Sequence, residues 1–310
     1  MMVTETARTV AHRILGSLAT ADTPLGPLTT YRLGGPAALL VKPATIADLV
    51  LVAEAREVSG LPVLVVGPGS NMLIADDGFP GIAVWVPALV ADLEVPAGPE
   101  SSVVRAGGGM ALPVVARRLA GASLRGFEWA VGVPGSIGGA VRMNAGGHGS
   151  DMAACLVEAD IFNLATGTSA NHPVDALGLR FRASDLTDEQ IVVTATLRVA
   201  PGDRDAAEAE LAEIVRWRRE NQPGGQNAGS VFVNPIPGEV SAGMLIDQLG
   251  LRGFTIGSAS VSDKHANFIQ GSDGGSADDV RAVMEHVRAR VAAETGFNLR
   301  SEVRLVGFDT

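Results

Sequence analysis

The sequence predicts an α+β protein with a glycine-rich N-terminal two thirds and a separate C-terminal lobe. Three observations point there. Short β-branched runs alternate with segments of helical apolar spacing, glycines cluster at 67–69, 107–109 and 132–149, and composition turns charged and alanine-rich beyond Pro201-Gly202-Asp203. At 310 residues the chain exceeds the roughly 250–300 at which single cores stop growing, so more than one lobe is expected.

From Thr45, the residues Ile46, Leu49, Val50 and Ala53 recur at helical spacing up to Gly60, and Leu61–Val66 follows as a β-branched run. A helix should therefore lead into a buried strand that ends at Gly67-Pro68-Gly69-Ser70-Asn71. After the turn-forming Asp76-Asp77-Gly78 a second strand is expected at Ile82–Val86. A third at 103–106 opens onto Gly107-Gly108-Gly109 and a helix through Leu119. Between 132 and 149, GVPGSIGGAVRMNAGGHG, neither helix nor strand is expected to persist for long, because each glycine loses backbone entropy on ordering. Strands return at 156–163 and 191–199.

A linker near residue 203 precedes Asp205–Glu220, where Leu211, Ile214 and Val215 share one helical face. Ser276 is placed to cap a helix that has Asp278 and Asp279 in its first turn and an apolar stripe of Val280, Val283, Met284, Val287 and Val291. Glu302–Val306 reads as a final strand, with Glu302 and Arg304 on one face and Val303 and Leu305 on the other.

Composition excludes several classes. Hydrophobic residues make up 46%, yet no stretch approaches the roughly 20 apolar residues of a membrane helix, and the first thirty residues lack the pattern of an export signal. A soluble, cytoplasmic protein without membrane insertion is expected. The net charge of −10, with no run of lysine or arginine, argues against nucleic acid as a partner. The lone Cys155 excludes an internal disulfide, and the scattered histidines offer no metal-ligand spacing.

Three clusters have the residue types for chemistry. The turn Gly67–Asn71 at a strand end can form a concave anion site of successive N–H groups or be a plain connection; it is neither G-x-G-x-x-G, because Met72 stands at the third glycine, nor a Walker loop. The second, Gly132-Val133-Pro134-Gly135-Ser136-Ile137-Gly138-Gly139-Ala140 with Asn144-Ala145-Gly146, is better explained by a long flat ligand against the backbone than by structure alone. The third holds the polar groups Arg182, Ser230, His265, Asn267 and Glu302. Each alone could be an ordinary surface, turn or core residue, and spacing does not show that they converge.

At these residues the chain resembles the UDP-N-acetylenolpyruvoylglucosamine reductase (MurB) family. Ordered matches run through TYRLGGPA at 30–37, GPGSNML at 67–73, Gly126-Phe127-Glu128, GVPGSIGGA at 132–140, Asn144-Ala145-Gly146, Phe181-Arg182-Ala183-Ser184, GSVFVNP at 229–235, Ala242-Gly243 through Gly250-Leu251, His265-Ala266-Asn267-Phe268 and Ser301-Glu302-Val303-Arg304. With Tyr31 as its single tyrosine and no insertion for a substrate-covering tyrosine loop, it is similar to the shorter subgroup. The resemblance implies an FAD-binding domain of the vanillyl-alcohol oxidase (PCMH) type at 1–204, in lobes of about 1–88 and 89–204, and a substrate-binding α+β lobe at 205–310.

It further implies that FAD is held by Gly67, Gly69, Ser70, Asn71 and Met72, by Val133, Pro134, Gly135, Ser136, Gly138 and Gly139, and by Asn144 and Gly146. NADPH is the implied reductant and an enolpyruvyl UDP-sugar the implied substrate, contacted by Asn234, His265, Arg182 and Ser230. Catalysis falls to Arg182 and Glu302 as stabilisers of developing charge and to Ser230 as proton donor. A monomer or weak dimer is the expected state. The chain departs from the family pattern at Phe181, usually tyrosine, at Val233, commonly basic, and at Asn221, frequently lysine; Arg216, Arg218, Arg219 or Lys264 are the cations left to hold phosphate. Two alternatives stand: another FAD oxidoreductase of the same fold, or a UDP-sugar-binding flavoprotein with reduced turnover.

Overall fold

A computed structural model of the protein describes residues 5–95 and 102–308; the outermost ends of the expected domains lie outside these. The chain divides into two compact units that interleave along the sequence. The first takes in residues up to Asp22, Ala38–Pro68 and Pro80–Arg218, and the second Thr23–Ala37, Gly69–Phe79 and the chain from Arg219 onward.

In the first unit, α1 (Glu5–Leu15) packs on α2 (Ile46–Ser59). Thr45 starts α2 with a reciprocal cap to Asp48, and Gly60 ends it at φ 69° in the left-handed region, so the helix expected from Thr45 to Gly60 is found with both its signals in use. The following strand, Val63–Val66, lies parallel to Phe79–Trp85 in a four-stranded sheet. A second, five-stranded sheet runs in the order Thr168–Pro173, Leu156–Asn163, Gln190–Arg198, Val103–Gly107 and Leu93–Glu94, all antiparallel. On it packs α3 (Leu112–Gly121), burying Leu112, Val115, Ala116 and Leu119 at helical spacing.

The glycine-rich segment departs from expectation. A helix, α4 (Ile137–Met143), forms inside it, begun by Ser136 Oγ accepting the Gly139 N–H at 3.3 Å and ended at Asn144 with φ 40°. Packing outweighs propensity here: Ile137, Ala140 and Val141 are buried, and a Cβ on Gly138 would stand 3.1 Å from the Gly108 carbonyl oxygen. Beyond it, α5 (Met152–Cys155) buries Cys155, whose thiol is pushed up to about 12 by that burial.

By Cα proximity the two units meet in sequence between Arg218 and Arg219. The helix α6 (Arg204–Asn221) buries Ala207, Leu211 and Ile214 in the same core as α3 and α4, so its apolar face holds most of it in the first unit. The core around α1 and α2 also takes in Phe162, Leu164, Ile191 and Val193.

The second unit is built on α7 (Ala242–Gln248) and α8 (Ala277–Thr295), with an antiparallel sheet of Thr255–Ile256, Ala259–Val261 and Ile269–Gly271. The stripe Val280, Val283, Met284, Val287 and Val291 is buried as expected. Residues from far upstream complete this core: Tyr31, Leu33 and Leu73 lie in it, and the Tyr31 hydroxyl donates to the Ile269 carbonyl oxygen at 3.0 Å. The last strand is shorter than expected. Only Arg304–Val306 forms it, parallel to Met72–Ile74, because the Glu302 N–H is drawn to the Val231 carbonyl instead. Val303 is buried in the core of this unit, and half-buried Leu305 packs against the same core. Among the described residues, no helix is long and apolar enough to cross a membrane.

The start of α8 depends on one distant carboxylate. Asp76 accepts from the Ser276 hydroxyl and from the N–H groups of Ala277 at 3.0 Å and Asp278 at 3.2 Å, while Ser276 caps Asp278 and Asp279. Asp76→Ala is expected to lower the free energy of unfolding by about 1 kcal/mol in urea titration, with little change in slope.

Candidate active site

The first unit contributes two glycine-lined surfaces. A Cβ on Gly67 would lie 3.1 Å from the hydroxyl of buried Ser136, and Gly135 stands at φ 131°, where a side chain is strained. The first donors of α4 are already spent: Ile137 N–H goes to the Met110 carbonyl at 2.9 Å, Gly138 N–H to Gly108 at 2.8 Å and Gly139 N–H to Ser136 Oγ. Val133 N–H likewise goes to Ala130 at 3.1 Å. These glycines therefore offer a surface without Cβ atoms rather than a row of N–H donors. Just before this loop, the Trp129 indole N–H is buried with no hydrogen-bond partner among the described residues, a group a ligand could satisfy. A flat, polar-edged cofactor such as FAD fits both features.

Arg182 sits in a tight reversal of the same unit. Arg180 and Ala183 exchange N–H···O bonds of 3.0 Å across Phe181-Arg182, and Arg182 adopts φ 54°, a conformation costing a side-chain-bearing residue about 1–2 kcal/mol. Its guanidinium donates to the Gly146 carbonyl oxygen at 3.1 Å and lies 5.2 Å from the exposed Phe181 ring. Buried Asn144 secures the reversal: Nδ2 donates to the Arg180 carbonyl at 3.3 Å and to Asp151 at 3.2 Å, and Oδ1 accepts the Ala153 N–H at 2.9 Å. The Asn144 amide thus ties the Arg182 turn to residues 151–153. Gly146 pairs with Asp151, whose Cβ would be 2.5 Å from one added to the glycine, so it too is required by packing.

Farther along α6, burial alone pulls the Arg218 guanidinium below its usual pKa. Such a desolvated cation favours an anionic ligand.

In the second unit, Gly69 turns at φ 62°, with an added Cβ only 2.6 Å from Thr29 Cα. Asn71 Nδ2 donates to the Glu302 carbonyl at 3.1 Å, and the Asn71 carbonyl accepts the Arg304 N–H at 3.0 Å; Met72 is buried in the adjoining strand. The Ser230 segment pairs with the Glu302 segment: Glu302 N–H donates to Val231 at 2.8 Å and Val233 N–H to Arg300 at 2.9 Å, with Phe232 opposite Ser301. Ser230 thus stands one residue from the bond that anchors Glu302. On the other side, buried Asn267 accepts the Val231 N–H on its carbonyl at 2.8 Å and the Phe232 N–H on Oδ1 at 3.0 Å, and Nδ2 donates to the Phe232 carbonyl at 2.8 Å. Losing that side chain would leave a buried N–H and C=O unpaired, each costing about 1–3 kcal/mol.

His265 is half-buried beside Phe268, and its Nδ1 accepts the Asn267 N–H at 3.2 Å, which leaves the proton of the neutral ring on Nε2. Asn234 is exposed and accepts the Ala242 N–H at the start of α7, at 3.1 Å.

Residues 221–306 match the model of the UDP-N-acetylenolpyruvoylglucosamine reductase C-terminal domain, and residues 37–171 that of an FAD binding domain. Over 287 residues the chain is 42% identical to the UDP-N-acetylenolpyruvoylglucosamine reductase of Heliobacterium modesticaldum, covering 92% of this chain and 89% of that protein. The chain belongs to the UDP-N-acetylenolpyruvoylglucosamine reductase family. A second member, from Synechococcus sp. (strain WH7803), is 39% identical over 93% of each chain. The crystal structure of the MurB enzyme from Thermus caldophilus superposes with a TM-score of 0.78 at 30% identity, covering 93% of this chain and 98% of that one. The expected architecture, a PCMH-type FAD-binding domain with a C-terminal α+β lobe, holds.

Within this reductase family member, Ser230, Asn234, His265 and Glu302 fall in the second unit, together with Gly69–Met72. Arg182, Gly67 and the residues from Val133 to Gly146 fall in the first. Sequence reasoning noted Asn267 among the polar residues but missed its clamp on Phe232, since only the fold brings residues 35 apart into contact. It missed Trp129 for want of any signal beyond its place before the glycine loop.

Burial, with Arg252 adding to it, lowers the His265 pKa below the usual imidazole value. Because protonation favours the unfolded chain, this group costs stability as pH falls below about 6.5 and is silent above it. In an NMR titration His265 is expected to stay neutral, Nε2-protonated, to lower pH than an exposed histidine; a midpoint above that of free imidazole side chains would contradict its burial.

Proposed function

We propose that the chain reduces the enolpyruvyl group of UDP-N-acetylglucosamine enolpyruvate to give UDP-N-acetylmuramate, with NADPH as reductant. It is an oxidoreductase of the reductase family with an FAD-binding domain, serving peptidoglycan precursor synthesis. The observation that carries the finer reading is the pairing of the Ser230 and Glu302 segments through the Val231–Glu302 hydrogen bond of 2.8 Å.

FAD, when bound, supplies the hydride chemistry. The protein's own groups supply the rest. The loops at Gly67 and at Val133–Gly139 hold the cofactor by close backbone approach, and Trp129 is a donor for it. Gly69, Ser70, Asn71 and Met72 are further residues assigned to the cofactor. Reduction of the enolpyruvyl double bond leaves negative charge at the carbon beside the substrate carboxylate and on that carboxylate. The Arg182 guanidinium stabilises this charge, and Glu302, protonated or hydrogen-bonding, assists. Ser230 Oγ delivers the proton to that carbon. A serine hydroxyl is a weak acid, so the role depends on a strongly basic acceptor and a fixed hydroxyl.

Asn234 and His265 contact the substrate, His265 through its Nε2–H. Arg218 is the cation best suited to a phosphate, since it is already desolvated. The reaction is assigned to the cytoplasm, by a monomer or weak dimer.

The purified protein is expected to carry or take up FAD; failure to bind it under any reconstitution would reject the assignment. Ser230→Ala is expected to keep flavin reduction by NADPH within about twofold while slowing flavin reoxidation by the enolpyruvyl substrate by about 10²–10⁴-fold, measured anaerobically as separate half-reactions. Equal loss in both would remove the proton-donor role, which belongs to the second half alone.

A further inference from the structure

We propose that Asn267 is a positioning residue that fixes the Ser230 hydroxyl and its register to Glu302, resting on the reading that Ser230 donates the proton. Ser230 lies between unequal neighbours. Before it, Gly229 stands at φ 78° with open space where a Cβ would be, its N–H held locally by the Asn227 side-chain oxygen at 3.0 Å. After it, Val231 and Phe232 are buried and tied to Asn267 by three hydrogen bonds of 2.8, 3.0 and 2.8 Å.

The side-chain amide presents one acceptor and one donor, as a peptide group does, and it meets both the N–H and the carbonyl of Phe232. It therefore acts as a one-residue strand on the flank of 231–233 opposite Arg300–Glu302. With that flank held, the carbonyl of Val231 is left aligned for the Glu302 N–H. One buried amide thus sets the serine and the glutamate at once.

The amide itself is held by the turn it belongs to. The backbone N–H of Asn267 donates to His265 Nδ1 at 3.2 Å, and Phe268 N–H closes the turn on the His265 carbonyl at 2.9 Å.

The test uses the FAD-loaded, full-length protein and its two half-reactions. Asn267→Ala removes both side-chain bonds. Asn267→Asp keeps the acceptor for the Phe232 N–H, and restores a donor for the Phe232 carbonyl only when the carboxyl is protonated, which burial favours at mildly acidic pH. Titratable side chains on the segments around this contact are His265, Arg300 and Glu302; all are retained, so each variant is read as a ratio to the unsubstituted enzyme.

At pH of about 8, both variants are expected to slow substrate-driven flavin reoxidation at least about tenfold, with flavin reduction by NADPH within about twofold. The Asn267→Asp ratio should climb as pH falls toward about 5, while the Asn267→Ala ratio stays flat. Amide hydrogen exchange should show lost protection at Val231 and Phe232 in the alanine variant. Should the alanine variant not fold, the aspartate variant decides through its pH ratio. Unchanged reoxidation in a folded variant, equal loss in both half-reactions, or a flat aspartate ratio overturns the proposal. Absence of substrate-driven reoxidation in the unsubstituted enzyme would instead overturn the functional reading beneath it.

Discussion

Every peptide group taken out of water must find a partner, and where this chain runs irregularly the partner is often a side-chain amide. Asn267 gives Phe232 both bonds that a neighbouring strand would give, and Asn144 ties the Arg182 reversal to the start of α5. Asn71 receives and returns bonds along Glu302–Arg304 in the same manner. Asparagine suits the task because its amide has the polar geometry of the backbone on a short, stiff stem. Unmet, the same backbone groups would each cost about 1–3 kcal/mol, a sizeable part of a domain's net stability.

The glycines answer a different need. Around Ser136 and Gly138 their N–H groups are spent inside the protein, and added Cβ atoms would press to 3.1 Å on the Gly108 carbonyl or the Ser136 hydroxyl. What is left for a cofactor is closeness of approach, which suits a broad planar ring better than a compact anion. Arg182 and Asn144 keep side chains at positive φ, as Asp22, Arg32, Ser123 and His148 also do, and the surrounding hydrogen bonds hold Arg182 and Asn144 there.

Much of the fold was legible in the chain. Thr45 and Gly60 bracket a helix, Ser276 and the valine stripe mark another, and the runs at 156–163 and 191–199 mark strands, because caps and residue type are local properties. Ordered motifs carried the family as well. The errors share a cause. A helix inside the glycine segment and the shortened last strand each depend on what packs against the segment, and propensity yields to that.

The sequence by itself therefore determined the family, the α+β class and the identities of Ser230, Glu302 and Arg182 as candidates, since these reside in residue type and order. Tertiary structure alone decided that Thr23–Ala37 and Gly69–Phe79 join the C-terminal unit, that Ser230 and Glu302 lie on paired segments, and that Asn144 and Asn267 are clamps. The physical reason is that a hydrogen bond between residues far apart in the chain leaves no periodic trace in the order of residues; it exists only once burial has removed water as the competing partner.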